Sequence, residues 1–199
     1  MKQKPGAYLK SVDTLLAPII DSVGELVLKP KTDYFYALTE SIISQQLSIK
    51  AADTIFGRFI NLFPDKQFPD PELVLNMSDI ELRSAGLSFQ KISYIKDLAY
   101  HVKNNLLLFE KLPEMTDEDV ILHLTAVKGI GRWTAEMFLM FTMGRPDIFS
   151  YGDLGLKNAI KKLYKLRSHP SQKQAEKISK KWQPFRTYAC RYLWKCLEF

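Results

Sequence analysis

Residues 124–133 read LTAVKGIGRW, and the two glycines there constrain the fold more than any other feature of the chain. Gly129 and Gly131 flank Ile130, so the backbone can turn tightly, free of Cβ atoms, with its N–H groups exposed. Successive N–H groups in such a turn form a concave nest for an anion, and phosphate is the obvious candidate. Ile130 is expected to plug the turn into the core, and residues 134–143 (TAEMFLMFTM) continue as a mostly apolar helix. The predicted unit is helix, glycine turn, helix, able to hold a nucleic-acid backbone without reading its bases. Glycines also end helices for structural reasons alone, so the rest of the chain must agree.

The surroundings are helical. Apolar periodicity predicts helices over 8–22, 34–46, 49–62, 71–76, 79–85, 90–104, 117–124, 133–143, 154–166, 172–181 and 185–197. Ser78 with Glu81 and Ser171 with Gln174 have capping-box spacing, and Asp70 precedes Pro71 as an N-cap precedes a first-turn proline. Thr116 opens a segment whose first turn, Asp117, Glu118 and Asp119, is acidic as the helix dipole favours. Sustained strand-like alternation is absent, and the expected fold class is all-α.

Charge is one-sided. Between residues 157 and 195 twelve Lys or Arg face one acid, Glu176; that segment is +11, which leaves −5 of the net +6 for the remainder. An excess of this kind fits a polyanionic partner. Only Cys190 and Cys196 are present, and His101, His123 and His169 are scattered, so neither a disulfide framework nor a zinc site is expected. No apolar run is long enough for a transmembrane helix, and the basic start carries no signal-peptide pattern. An intracellular, cytoplasmic protein is expected, nuclear if the cell is eukaryotic, with no membrane association.

Taken together, Ile43-Ser44-Gln45-Gln46-Leu47-Ser48, Gly86-Leu87-Ser88 with Lys91 and Tyr94, the hairpin with Trp133, Phe149-Ser150-Tyr151-Gly152-Asp153-Leu154-Gly155 and Trp182-Gln183-Pro184-Phe185-Arg186-Thr187-Tyr188-Ala189 form an ordered set. In these motifs the chain resembles the helix-hairpin-helix superfamily of DNA glycosylases, and within it the 3-methyladenine DNA glycosylase II group. The resemblance spans roughly residues 34–197. It implies a two-lobed helical fold with the active site in the cleft between lobes. One lobe is then 35–145, with the helix-hairpin-helix at about 117–143; the other, basic lobe joins 1–34 to 146–199. It further implies that Lys128, Gly129, Ile130, Gly131, Arg132 and Thr134 bind DNA, that Gln45, Gln46 and Leu47 form a wedge in the duplex, and that Trp133, Trp194 and Met137 line a base pocket. By the same analogy the carbonyls of Thr125, Val127 and Ile130 could hold a monovalent cation.

The implied chemistry suits the residues. Breaking an N-glycosidic bond develops oxocarbenium-like positive charge on the sugar, which a fixed carboxylate stabilises. Asp153, 22 positions after Gly131, stands where the family has its essential aspartate. An alkylated purine is already cationic and leaves without a second carboxylate as general acid. Relatives that also cut the strand carry a lysine where this chain has Trp133, so no Schiff base can form there. Two cysteines cannot build the four-cysteine iron–sulfur cluster of other relatives. The reading is a monofunctional hydrolase removing alkylated purines of the 3-methyladenine and 7-methylguanine type from double-stranded DNA after base flipping, acting as a monomer without a resident metal or cluster. The alternatives are a glycosylase for deaminated or oxidised bases, and a non-catalytic helix-hairpin-helix DNA-binding module.

Overall fold

Helix starts follow the polar side chains that the sequence offers. Asp33, Ser48, Asp70, Ser78, Ser88, Thr116, Asp153 and Ser171 each accept a hydrogen bond from a backbone N–H of the helix they precede, and the boxes at Ser78–Glu81 and Ser171–Gln174 close in both directions. The computed structural model describes residues 4–63 and 67–197, and every regular element among them is helical. The chain divides into two compact units, Met1–Pro30 with Leu139–Phe199, and Lys31–Phe138.

The first unit draws on both ends of the chain: α1 (Pro5–Val12), α2 (Ala17–Val23), and later helices Leu154–Leu163, Gln172–Lys180 and Arg186–Lys195. The last of these is stitched to the N-terminal segment by Tyr192, whose hydroxyl donates to the Gly24 carbonyl at 2.9 Å and accepts from Leu26 N at 3.3 Å. Asp13 makes a second long-range tie. Its carboxylate is buried, accepts from Trp182 Nε1 at 2.8 Å, pairs with Lys181 at 3.0 Å and is bonded by the Tyr164 hydroxyl. The single helix expected over 8–22 is therefore two. Asp13 is extended at φ −149°, which turns its carboxylate inward, and Pro18 occupies the first turn of α2, where its missing N–H costs nothing.

The second unit contains α3 (Tyr34–Ser44), α4 (Ile49–Ile60), α5 (Pro71–Asn76), α6 (Asp79–Ser84), α7 (Phe89–Lys103), α8 (Asp117–Thr125) and α9 (Arg132–Met137). Helix α7 is its spine: Ile92, Ile95, Leu98 and Ala99 lie on one buried stripe, and α3, α5 and α6 all pack against it. An aromatic cluster of Phe35, Tyr36, Phe56, Phe59 and Phe68 fills the space beside α3 and α4. Two elements depart from the sequence pattern. A 3-10 turn over Phe109–Glu114, with Pro113 inside it, had no counterpart among the expected helices. The helix expected over 133–143 is α-helical only to Met137 and continues as a π turn over Phe138–Thr142. In the first unit the helices Leu154–Leu163, Gln172–Lys180 and Arg186–Lys195 are numbered α10, α11 and α12.

Candidate active site and nucleic-acid interface

The two hairpin glycines serve different ends. Gly129 has φ +81°, and a Cβ there would lie 2.1–2.6 Å from ring atoms of Tyr94, so both conformation and space exclude a side chain. Gly131 is the N-cap of α9 with φ −90° and ψ 171°, ordinary extended backbone, and a Cβ there would meet nothing within 4 Å. The fold does not require glycine at 131; what its absence of side chain provides is a bare approach to the turn. Ile130 is buried, as expected of a plug.

Side chains around the turn are held from within the same unit. Lys128 donates its backbone N–H to Asp97 Oδ2 at 2.9 Å, and its exposed ammonium stands 3.3 Å from Asp97 Oδ1. Arg132 forks onto both oxygens of Glu118 at 2.9 and 2.5 Å and reaches Glu136 Oε1 at 3.0 Å. The bonds to Glu118, aided by both carboxylate charges, raise the guanidinium pKa against the effect of partial burial. Arg132 thus ties α8 to α9 across the hairpin. Thr134 is buried; Trp133 is 50% exposed. Met137, half-buried, ends α9 just before the π turn. Trp133 shares a cavity of about 510 Å³ with Ser44, Gln45, Gln46, Gly129 and Thr134.

Gln45, Gln46 and Leu47 make the turn from α3 into α4. Gln46 takes the left-handed conformation at φ 58°, unusual for a residue with a side chain, and Gln46 and Leu47 face outward. Gln45 does not. Its Nε2 donates to the Gly129 carbonyl at 2.9 Å, joining the turn to the hairpin. Lys91, which the sequence offered only as part of a motif, donates to the carbonyls of Ile43 at 2.6 Å and Gln45 at 2.8 Å. The signal that could have found it is a lysine three residues after the Ser88 N-cap, on a helix with few other charges in that turn.

Asp153 lies in the other unit, as the N-cap of α10. Its Oδ1 accepts from Leu156 N at 2.7 Å and from Trp194 Nε1 at 3.0 Å, and the residue is only 8% exposed. An anion at a helix N-terminus with two N–H donors is well stabilised there. Trp194, assigned to a base pocket by analogy, is thus first a hydrogen-bond donor to the carboxylate. Its ring also meets Phe141 of the π turn, with centroids 5.7 Å apart. Gly155 makes this approach fit: a Cβ there would lie 3.0 Å from Asp153 Oδ1 and 3.1 Å from the indole Nε1. Gly155 stood in the Asp153 motif without a role of its own, and Phe141 could not be picked out from sequence spacing. Asp147, the nearest acid in the chain, is occupied by Arg186, which donates to Oδ1 at 2.8 Å and Oδ2 at 2.9 Å. Cys190 is fully buried, and burial pushes its thiol pKa up, so it offers no nucleophile. Trp182 is wholly buried with its N–H spent on Asp13, and serves the core.

The basic segment is only partly a free face. Lys162 donates to the Cys196 carbonyl, Lys181 pairs with Asp13, Arg186 with Asp147, and Arg191 donates to the Val27 carbonyl. Among the described residues no cluster of three or more His, Cys, Asp or Glu stands where it could hold a metal ion, and no helix is long and apolar enough to cross a membrane.

Known proteins resemble the chain in sequence and in fold. The chain is 34% identical over 190 residues to a putative DNA-3-methyladenine glycosylase, YfjP, of Bacillus subtilis, and the match covers 93% of this chain and 66% of that protein. Among solved structures it is similar to the 3-methyladenine DNA glycosylase Mag1 of Schizosaccharomyces pombe in complex with abasic DNA, with a TM-score of 0.87, 33% identity, and 99% and 98% of the two chains covered. A DNA-3-methyladenine glycosidase from Bacillus halodurans matches with a TM-score of 0.85 and 41% identity, over 98% of this chain and 89% of that one. Residues 39–184 match the family model described as HhH-GPD superfamily base excision DNA repair protein, and the chain belongs to that superfamily.

Proposed function

We propose that this chain is a monofunctional DNA glycosylase of base excision repair, hydrolysing the N-glycosidic bond of alkylated purines after flipping them from double-stranded DNA. The observation that carries the reading is the Asp153 carboxylate, buried at a helix N-terminus and held by Trp194 and Leu156. As the C1′–N bond breaks, its electron pair leaves with the base and positive charge grows on the sugar; the fixed anion stabilises that charge without reorganising. A water oxygen then bonds C1′ and loses a proton to solvent. With Asp147 neutralised by Arg186, one carboxylate does this work, which suffices for a leaving group that is already cationic. A non-catalytic DNA-binding module would have no use for the Asp153–Trp194 pair.

Trp133 replaces the amine that a strand-cutting relative would use, so base loss leaves an intact abasic strand. Its half-exposed indole suits a cationic purine through cation–π attraction, about 2 kcal/mol when desolvated. DNA is held by phosphate contacts at the hairpin, with Lys128, Gly129, Ile130, Gly131, Arg132 and Thr134 contributing, and by exposed lysines such as Lys165, Lys173, Lys177 and Lys180. Carbonyl oxygens are hard donors, and those of Thr125, Val127 and Ile130 would hold a monovalent cation that stiffens the turn. The Val127 carbonyl already accepts from Ile130 N at 3.2 Å and keeps a second lone pair for it. The protein acts as a DNA-associated monomer inside the cell. Incubation with methylated DNA tests the reading: release of free 3-methyladenine or 7-methylguanine supports it, and no release from either overturns it.

A further inference from the structure

The end of α3 raises a structural question. The last carbonyls of a helix lack intrahelical donors, and here the chain leaves α3 into a turn with a strained residue, Gln46, at φ 58°. Such a turn keeps one shape only if its surroundings hold it. Lys91, on α7, places its ammonium on the carbonyls of Ile43 and Gln45, one on each side of the helix end. A cation there also complements the negative end of the α3 dipole. Partial burial lowers the pKa of this ammonium, in keeping with a group turned toward protein. From the same helix, Tyr94 covers Gly129 and Asp97 accepts from the backbone of Lys128. Gln45 closes the ring by donating to the Gly129 carbonyl.

We propose that Lys91 is a positioning residue for base displacement: by clamping the end of α3 it sets the Gln46–Leu47 wedge relative to the hairpin, so that the phosphate grip and the wedge act as one piece. This rests on the glycosylase reading above, and adds to it a residue that need touch neither DNA nor base. The hydrogen bonds are charge-assisted and two in number, so their loss leaves the strained turn free to relax. Together, less the cost of leaving the ammonium's place to the solvent-facing turn, they are worth enough to alter a conformational equilibrium by about tenfold.

The test uses Lys91→Met, Lys91→Arg, Leu47→Ala and the double variant Lys91→Met/Leu47→Ala, each shown to be folded by circular dichroism. Base displacement is followed by the fluorescence of 2-aminopurine beside a methylated purine, and chemistry by single-turnover excision. Lys91→Met is expected to lower the fluorescence rise and the excision rate about tenfold, while affinity for undamaged duplex stays within about twofold. Arg, able to donate to both carbonyls, restores most of the loss. The double variant is expected to be no worse than Leu47→Ala alone, because Lys91 acts through the wedge. Normal displacement by Lys91→Met, or fully additive losses, overturns the proposal. So does a parallel loss of undamaged-duplex affinity, which would make Lys91 a phosphate contact. If the wild-type chain neither displaces nor releases the base, the glycosylase reading fails first; if Leu47→Ala is impaired and Lys91→Met is not, the positioning role alone is wrong.

Discussion

Trp194→Phe isolates one hydrogen bond. The indole Nε1 donates to Asp153 Oδ1 at 3.0 Å, and phenylalanine keeps an aromatic ring for Phe141 while deleting that donor. Leu156 N at 2.7 Å still caps the same oxygen, so the carboxylate remains the N-cap of α10 but loses its fix on the side of Trp194. Hydrogen bonds to charged groups contribute about 1.5–3 kcal/mol, and the near-complete burial of Asp153 argues against easy replacement by water. At ~1.36 kcal/mol per tenfold, the loss corresponds to roughly ten- to hundredfold in rate. The assay is single-turnover release of 3-methyladenine under enzyme excess, beside fluorescence anisotropy on abasic and undamaged duplexes. Release is expected to fall by that factor with both affinities nearly unchanged, since phosphate contacts are untouched. A Trp194→Phe protein that releases base within about threefold of the wild-type rate would refute the claim that this N–H holds the carboxylate for catalysis.

Asp153→Asn is expected to abolish base release while the protein stays folded, since asparagine caps helices as well as aspartate does; retention of more than about a tenth of the rate, a difference of only ~1.4 kcal/mol, removes Asp153 from the mechanism. Borohydride added during turnover is expected to trap no protein–DNA adduct, because Trp133 offers no amine; an adduct would direct attention to Lys128. The glycines should separate stability from binding. Gly129→Ala, with φ +81° and a clash with Tyr94, is expected to destabilise by about 1–3 kcal/mol and lower Tm by several degrees. Gly131→Val fits the fold but covers the turn, so thermal melting should be unchanged while damaged and undamaged duplexes bind equally less well.

Local features were legible along the chain. Polar side chains at caps compete for the first free N–H groups of a helix within three residues, which is why Ser78, Thr116 and Ser171 marked real starts. The glycine turn, the tryptophan in the place of a lysine, and the too-few cysteines are statements about residue identity, and identity alone limits the chemistry. What residue order could not carry is who faces whom. Trp194 and Asp153 are 41 residues apart, Lys91 and Ile43 48, Gln45 and Gly129 84, Trp182 and Asp13 169, and each pair meets only because buried helix faces bring them together. Those contacts add work that residue spacing does not show: Gln45 anchors its turn to the hairpin, Arg132 braces α9 on Glu118, Asp147 is held by Arg186, and the helix over 8–22 breaks where Asp13 turns inward. A charged or amide side chain can satisfy itself in several ways. Close packing, which burial of the apolar stripes enforces, decides which one it takes.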